Sequence, residues 1–369
     1  MPKVTETVLE IDLDSLAHNY NFLRSKLNPT TKFMAVVKAF AYGSEAPATA
    51  IKLEKLGVDY LAVAYANEGI ALRNGGIKTP ILVLHPLAAN FASIIDYGLE
   101  PSIYSIKILL EFLEVANSMN QKDYPIHLKF NTGLNRLGFG ENDLELVSDH
   151  LLKATDVRVV SAFSHLAASE DKSERAFTLD QIAIYETIFH KLGGNLGYVP
   201  MKHILNTSGI INYPEAQFNM VRSGIGLYGY GNEPSVDAHL KPMATLKTLI
   251  SQLHRIGTHE SVGYNRAYLS DKPRVTATLP LGHADGIGRH YGNGNTFVSI
   301  NGQKAPIIGN VCMDMIMVDV TEIDCQEGDE VIVFGHHPTA EEFAFTAQTI
   351  SYELLSGISQ RVKRVIIGK

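Results

Sequence analysis

The sequence predicts an α/β protein: a (β/α)8 TIM barrel over residues 8–238, followed by a mostly-β domain over 239–369. Three observations lead there. Short apolar runs rich in β-branched residues alternate with helix-like stretches through the first segment. That alternation is the mark of parallel βαβ units. Beyond the boundary the texture changes to brief strands cut by Gly, Asn and Asp turns. Finally, no Gly-x-Gly-x-x-Gly follows the first strand, which argues against a dinucleotide fold.

The barrel runs are FMAVVKA (33–39), YLAVAY (60–65), PILVLH (80–85), a weaker PSIYS (101–105), IHLKF (126–130), VRVVSAFSH (157–165), HILN (203–206) and MVRSG (220–224). Eight such runs in roughly 225 residues suit a barrel better than a doubly wound sheet. Helices are expected at 66–76, closed by Gly-Gly, and at 105–119. The second domain is read from TATLPLG (276–282), NTFVSING (295–302), KAPIIG (304–309), MIMVDV (315–320) and DEVIVFG (329–335). A helical stretch at 346–355 and a last strand at 361–368 close it. VLEIDL (8–13) is a candidate to pair into this second domain, with residues 1–7 joining it.

Length and composition narrow the function. At 369 residues the chain exceeds one ordinary domain, and 45% apolar with 19% charged residues describes a soluble globular protein. A formal charge of −7 with no Lys/Arg run argues against nucleic acid or an anionic membrane as partner. Cys312 and Cys325 make no disulfide framework, and no Cys/His spacing suggests zinc. The N-terminal stretch lacks a basic region followed by an apolar one, so no signal peptide is expected. No apolar run approaches the ~20 residues that cross a bilayer. The expectation is a cytoplasmic enzyme acting on a small molecule.

Barrel enzymes place their chemistry at the C-terminal ends of the strands. Those ends carry Lys38, His85, Lys129 with Asn131, His165, Asn206 with Thr207, and Arg222. A lysine ending an apolar strand is either one whose head snorkels out to water or an amine desolvated enough to lose its proton and attack an aldehyde as a Schiff-base nucleophile. Thr207, Ser223, Gly224 and Ile225 lie in the last two runs, where barrels commonly build a phosphate site from hydroxyl and backbone donors.

AVVKAFAYGS (35–44) resembles the AxxKAxAYGxG signature of the alanine racemases, with Ser44 in place of the usual His. The likeness continues through IHLKFNTGLNRLGF (126–139), FSHLAASED (163–171), HILNTSG (203–209), the run ending in RSGIGLYG (222–229), ESVGYNRAY (260–268) and SYELLSGIS (351–359). It implies a cofactor, pyridoxal 5′-phosphate, held covalently by Lys38. Tyr42, Thr207, Gly224, Ile225 and Tyr352 would face its phosphate, with Asn206 in the same group. Arg136 would meet the phenolic oxygen and the substrate, aligned by a carbamylated Lys129. His165 would lie under the ring, and Arg222, backed by His203, would meet the ring nitrogen.

Racemisation needs bases on both faces of one carbon. The resemblance makes Lys38 one and Tyr264, delivered by the other subunit of a homodimer, the second. A phenol holds its proton to about pH 10, so the resemblance implies help from His165 and Arg222. Met313 and Asp314, in GNVCMDMIMVDV (309–320), would lie beside the substrate. Asn131 stands where the family has Asp, His283 where it has an access-channel Tyr, and Asn310 where it has Arg. The implied activity is interconversion of L- and D-alanine, supplying D-alanine for peptidoglycan. A racemase of serine, lysine or broad specificity, a fold-type-III decarboxylase without its Cys motif, and a non-catalytic cofactor-binding protein are the alternatives.

Overall fold

The computed structural model describes residues 4–368. Eight parallel strands form the barrel: β2 (Lys32–Val36), β3 (Tyr60–Val63), β4 (Ile81–Val83), β5 (Glu100–Ile103), β6 (Tyr124–Lys129), β7 (Val157–Phe163), β8 (Met201–His203) and β9 (Met220–Ser223). They run in sequence order around the sheet, with β9 returning to pair with β2. The apolar runs are nearly continuous because strands under a ring of helices are buried on both faces. Phe33, Met34 and Ala35 in β2 are all inaccessible to solvent. The weak run at PSIYS is a true strand, whereas the strand expected at HILN (203–206) lies earlier, over Met201–His203, and shares only His203 with it.

The seam between β8 and β9 is closed by bonds that each join a residue of one strand to one flanking the other. Asn219 N–H donates to Lys202 O at 3.2 Å, and Arg222 N–H to Leu205 O at 3.0 Å. Both join chain segments that carry expected site residues.

The second domain is a nine-stranded sheet. To β1 (Val8–Asp12) it adds β10 (Ala244–Leu249), β11 (Gln252–Ile256), β14 (Arg274–Leu279), β15 (Phe297–Ile300), β16 (Gln303–Ile308), β17 (Ile316–Asp319), β18 (Glu330–Phe334) and β19 (Lys363–Ile367). A two-stranded hairpin, β12 (Ser261–Val262) with β13 (Tyr268–Leu269), stands apart and holds Tyr264 at its turn. Strand β1 lies between β10, antiparallel, and β19, parallel. A barrel boundary at residue 8 is therefore too early: pairing puts Val8–Asp12 in the second sheet, and the barrel side begins with helix Leu13–Arg24. Residues 1–3, part of the segment expected to join this domain, lie outside the described residues. Of the helical stretch expected at 346–355 only the second half is helical, in Ser351–Gly357, and a separate helix, Ala340–Phe345, precedes it.

The two domains meet beside Lys38. Ala39, Phe40, Ala41 and Tyr42 form a left-handed turn with φ between 53° and 54°, and Gly43 follows at 78°. Four consecutive L-residues in this region cost energy that the surroundings must offset. Arg364 of β19 donates to the carbonyl of Gly43 at 2.8 Å and to that of Ser44 at 3.2 Å. A Cβ on Gly43 would fall 1.9 Å from Leu355 O in the helix that carries Tyr352. Gly43→Ala is expected to lower stability by at least about 1 kcal/mol, measured by urea unfolding, and to loosen the docking of helix Ser351–Gly357.

Candidate active site

A cavity of about 700 Å³ opens at the C-terminal ends of the barrel strands. Lys38, Tyr42, Lys129, Arg136, His165, Asn206, Thr207, Arg222, Gly224, Ile225 and Tyr352 all line it. His203 stands directly behind, its Nδ1 2.6 Å from Arg222 Nη1. Sequence reading had not singled out the apolar wall of Val36, Ala64, Leu84, Leu137 and Phe163, nor Tyr65 and Ser208.

Lys38 begins the left-handed turn directly after β2, half-buried. Burial and the nearby Arg136 pull its ammonium below the usual lysine value, while Glu68 opposes them. Glu68 also does mechanical work that the sequence pattern did not reveal. Its Oε1 accepts from Ala39 N at 2.5 Å, and its Oε2 from Ala64 N at 2.7 Å and Tyr65 N at 3.0 Å. One carboxylate thus ties the turn after Lys38 to the end of β3. The only sequence signal was an acid in the first turn of helix Ala66–Asn74, a common capping position.

Lys129 ends β6 and is buried. Desolvation, then Arg136, Arg222 and Lys38, bring its pKa down to about 8. Arg136 follows on a loop shaped by Asn131, whose Oδ1 accepts from Gly133 N at 3.2 Å and Asn135 N at 2.9 Å. A neutral amide therefore supplies the turn bonds that the family's aspartate would accept.

Arg222 is the most constrained group. Nη1 donates to His203, and Nη2 donates to Ser164 O at 2.7 Å, Ile204 O at 3.1 Å and His165 Nδ1 at 3.2 Å. Burial brings its pKa down to about 10, so it remains a cation and a pure donor at neutral pH. Both histidines are held well below their usual value by burial and by Arg222, and stay neutral. Because Nδ1 of each accepts, Nε2 carries the proton in each.

At the other end of the cavity, Thr207 and Ser223 exchange a hydroxyl bond at 3.0 Å, and Gly226 N–H donates to Thr207 Oγ1 at 3.3 Å. A Cβ on Gly224 would lie 2.2 Å from the Tyr42 hydroxyl, so only glycine lets the backbone pass this close. Burial pushes the Tyr42 phenol well up and that of Tyr352 up to about 12, leaving both as neutral hydroxyls.

Tyr264, Met313 and Asp314 do not line this cavity. They border a second, shallower depression of about 380 Å³ on the β domain, with Cys312, Met315 and Met317. Tyr264 is 72% and Met313 59% exposed, and Asp314 pairs with Arg361 Nη2 at 2.7 Å. Asn310 Nδ2 donates to the carbonyl of Tyr264 at 3.0 Å, steadying the projecting turn. His283 is exposed nearby, its backbone N–H on Cys312 O at 2.9 Å.

Comparison with known proteins follows this architecture along its length. Residues 11–232 match the alanine racemase N-terminal domain and residues 243–366 the C-terminal domain. The chain belongs to the alanine racemase family. Alanine racemase 2 of Caldanaerobacter subterraneus subsp. tengcongensis is 35% identical over 99% of this chain and 96% of that protein. The alanine racemase of Clostridium difficile 630 superposes with a TM-score of 0.91 at 35% identity, covering 99% of this chain and 97% of that one. That of Bartonella henselae, solved with covalently bound pyridoxal phosphate, gives 0.90 at 28% identity, covering 99% and 100%. The chain is an isomerase of this family.

Glu68→Ala leaves three backbone donors without their acceptor. Stability is expected to fall by about 1–3 kcal/mol, with faster amide hydrogen exchange at residues 39–42 than in wild type.

Proposed function

We propose that this racemase works on alanine with pyridoxal 5′-phosphate bound in the barrel cavity and two bases contributed by two copies of the chain. One observation carries the reading. The cavity is lined by four cationic side chains, Lys38, Lys129, Arg136 and Arg222, and, among the described residues, by no carboxylate. Buried cations need anionic partners, and a phosphate with a substrate carboxylate supplies them. The passage beside Gly224, with the hydroxyls of Tyr42, Thr207 and Tyr352, suits the phosphate. A depressed lysine suits the aldehyde. The donor set fits the cofactor, and the Bartonella henselae relative carries the same group covalently.

When bound, the cofactor supplies a conjugated ring that accepts the electron pair released as the Cα–H bond breaks. The chain does the rest. Lys38, held on its rigid turn with a lowered proton affinity, moves the proton on one face of Cα. Tyr264 of a second copy serves the opposite face, its hydroxyl oxygen positioned to accept from the Nε2–H of His165. The exposed Tyr264, Met313 and Met315 form an apolar patch that supports pairing with another copy. Met313 and Asp314 would border the substrate there, with Arg136 beside its carboxylate. Arg222 can only donate, so it keeps a facing ring nitrogen unprotonated and moderates the electron pull. His203, Asn206, Gly224 and Ile225 complete the cofactor's surroundings. Cytoplasmic placement and a role supplying D-alanine to peptidoglycan follow from this activity. Both cysteines are unpaired, as in a reducing compartment. No described helix is long and apolar enough to cross a membrane.

L-alanine in deuterated water should yield D-alanine labelled at Cα, faster than serine or lysine is racemised. Lys38→Ala and Tyr264→Phe should each lose at least about 100-fold in rate, and mixing the two inactive proteins should restore activity if the tyrosine crosses between copies. Undiminished turnover by Tyr264→Phe in both directions would remove it from the chemistry.

Lys129 offers a separate check. Its amine, deprotonated above about pH 8, adds to carbon dioxide to give a carbamate and a proton. That product is an anion able to pair with Arg136. With 13C-bicarbonate, a carbamate resonance should grow as pH rises through about 8 and be missing in Lys129→Gln.

A further inference from the structure

The barrel interior holds a line of polar side chains that the chemistry above does not use. Behind Arg222 and His203, the Nε2 of His203 lies 2.9 Å from Ser161 Oγ. Ser161 Oγ lies 2.5 Å from His127 Nδ1, and His127 Nε2 lies 2.7 Å from Glu100 Oε2. His127, Ser161 and His203 are fully buried. Glu100 sits at the start of β5, its side chain 12% exposed at the far end of the barrel from the cavity.

We propose that Glu100, His127 and Ser161 are positioning residues: a one-way hydrogen-bond relay through the barrel that fixes the proton of His203 on Nε2 and thereby the aim of Arg222. The direction follows from the two ends. Arg222 can only donate, so His203 Nδ1 accepts and Nε2–H donates to Ser161. Ser161, having accepted, spends its own proton on His127 Nδ1. His127 Nε2–H then donates to the Glu100 carboxylate, which only accepts. Each link has one proton, and reversing a link sets two donors face to face at Arg222 or two acceptors face to face at Glu100. A guanidinium and a carboxylate therefore polarise four bonds in the same sense, the arrangement in which hydrogen bonds reinforce each other.

The backbone is shaped for this. The register between β6 and β7 slips after Ile126, so that Ser161 rather than Val160 stands opposite His127. Such irregularities redirect side chains. Phe163 stacks on the His203 ring with centroids 5.0 Å apart and planes at 7°, holding its rotation. The Tyr60 ring meets His127 edge-on at 5.8 Å, and its hydroxyl bonds Glu100.

The kinetic consequence rests on the proposed function, in which Arg222 meets the ring nitrogen; the proton order does not. The test is 15N NMR of histidine-labelled protein, with and without added cofactor, beside alanine racemisation kinetics. In wild type both His127 and His203 should show Nε2–H with an accepting Nδ1. Ser161→Ala should mix the tautomers of His203 and lower kcat roughly tenfold with KM for alanine unchanged. Glu100→Leu should do the same, beginning at His127, whereas Glu100→Gln, which keeps an accepting oxygen, should retain both signals and rate. Ser102→Ala is the control, since its buried hydroxyl on β5 has no hydrogen-bond partner. A wild-type His203 protonated at Nδ1 overturns the relay, as does Ser161→Ala behaving like Ser102→Ala in the spectra. Mixed tautomers with unchanged kcat overturn the link to Arg222. A wild type that shows the ordered tautomers but racemises nothing instead overturns the proposed function and leaves the relay standing.

Discussion

The buried guanidinium of Arg222 is the constraint around which the site is arranged. A cation this far from water survives only where its donors are met, and here two carbonyls and two imidazoles meet them. Its backbone N–H also closes the seam between β8 and β9. One residue therefore couples barrel closure, the protonation of two histidines and the electrostatic sign of the cavity. Replacing it by a neutral side chain would leave those acceptors facing one another. Lysine would not serve either, since a single ammonium cannot span carbonyls and ring nitrogens lying in different directions.

Much of the fold was legible because barrel strands announce themselves. Buried on both faces, they read as unbroken β-branched runs, and even the faint one at PSIYS paired as a strand. The polar residues at strand ends were equally visible, because each interrupts an apolar run where the chain turns to solvent. Other parts were illegible for physical reasons. The left-handed path of residues 39–42 contradicts local preference at every position and is imposed by neighbours remote in sequence, Glu68 and Arg364. The membership of β1 was ambiguous, since an isolated alternating strand does not say which sheet it joins. Glu100, His127 and Ser161 escaped notice because they lie within strands, where a polar residue looks like an ordinary break in hydrophobicity. Only the register slip in β6 and β7 brings them into line.

The residues proposed for the site are also divided within a single chain. Lys38 and its cationic neighbours line a deep cavity, while Tyr264 projects from a hairpin on the other domain, beside exposed methionines. Asn310 grips the backbone at Tyr264, so the family's arginine is replaced here by an amide that stabilises the projection itself. Asn131 does similar work at the loop bearing Arg136. In both places a neutral amide holds the local backbone.

Strand β1 has a consequence for how the molecule comes into being. Val8 is in register with Lys363 on one side and Lys247 on the other, so the first strand made waits for the last. Contacts of such sequence separation form slowly. During synthesis the barrel helices and strands can assemble while this N-terminal ribbon hangs without partners, exposed to wrong pairings. Emergence of β19 (Lys363–Ile367) is then the event that completes this part of the sheet. A chain lacking β19 would carry a finished barrel and leave one edge of β1 open.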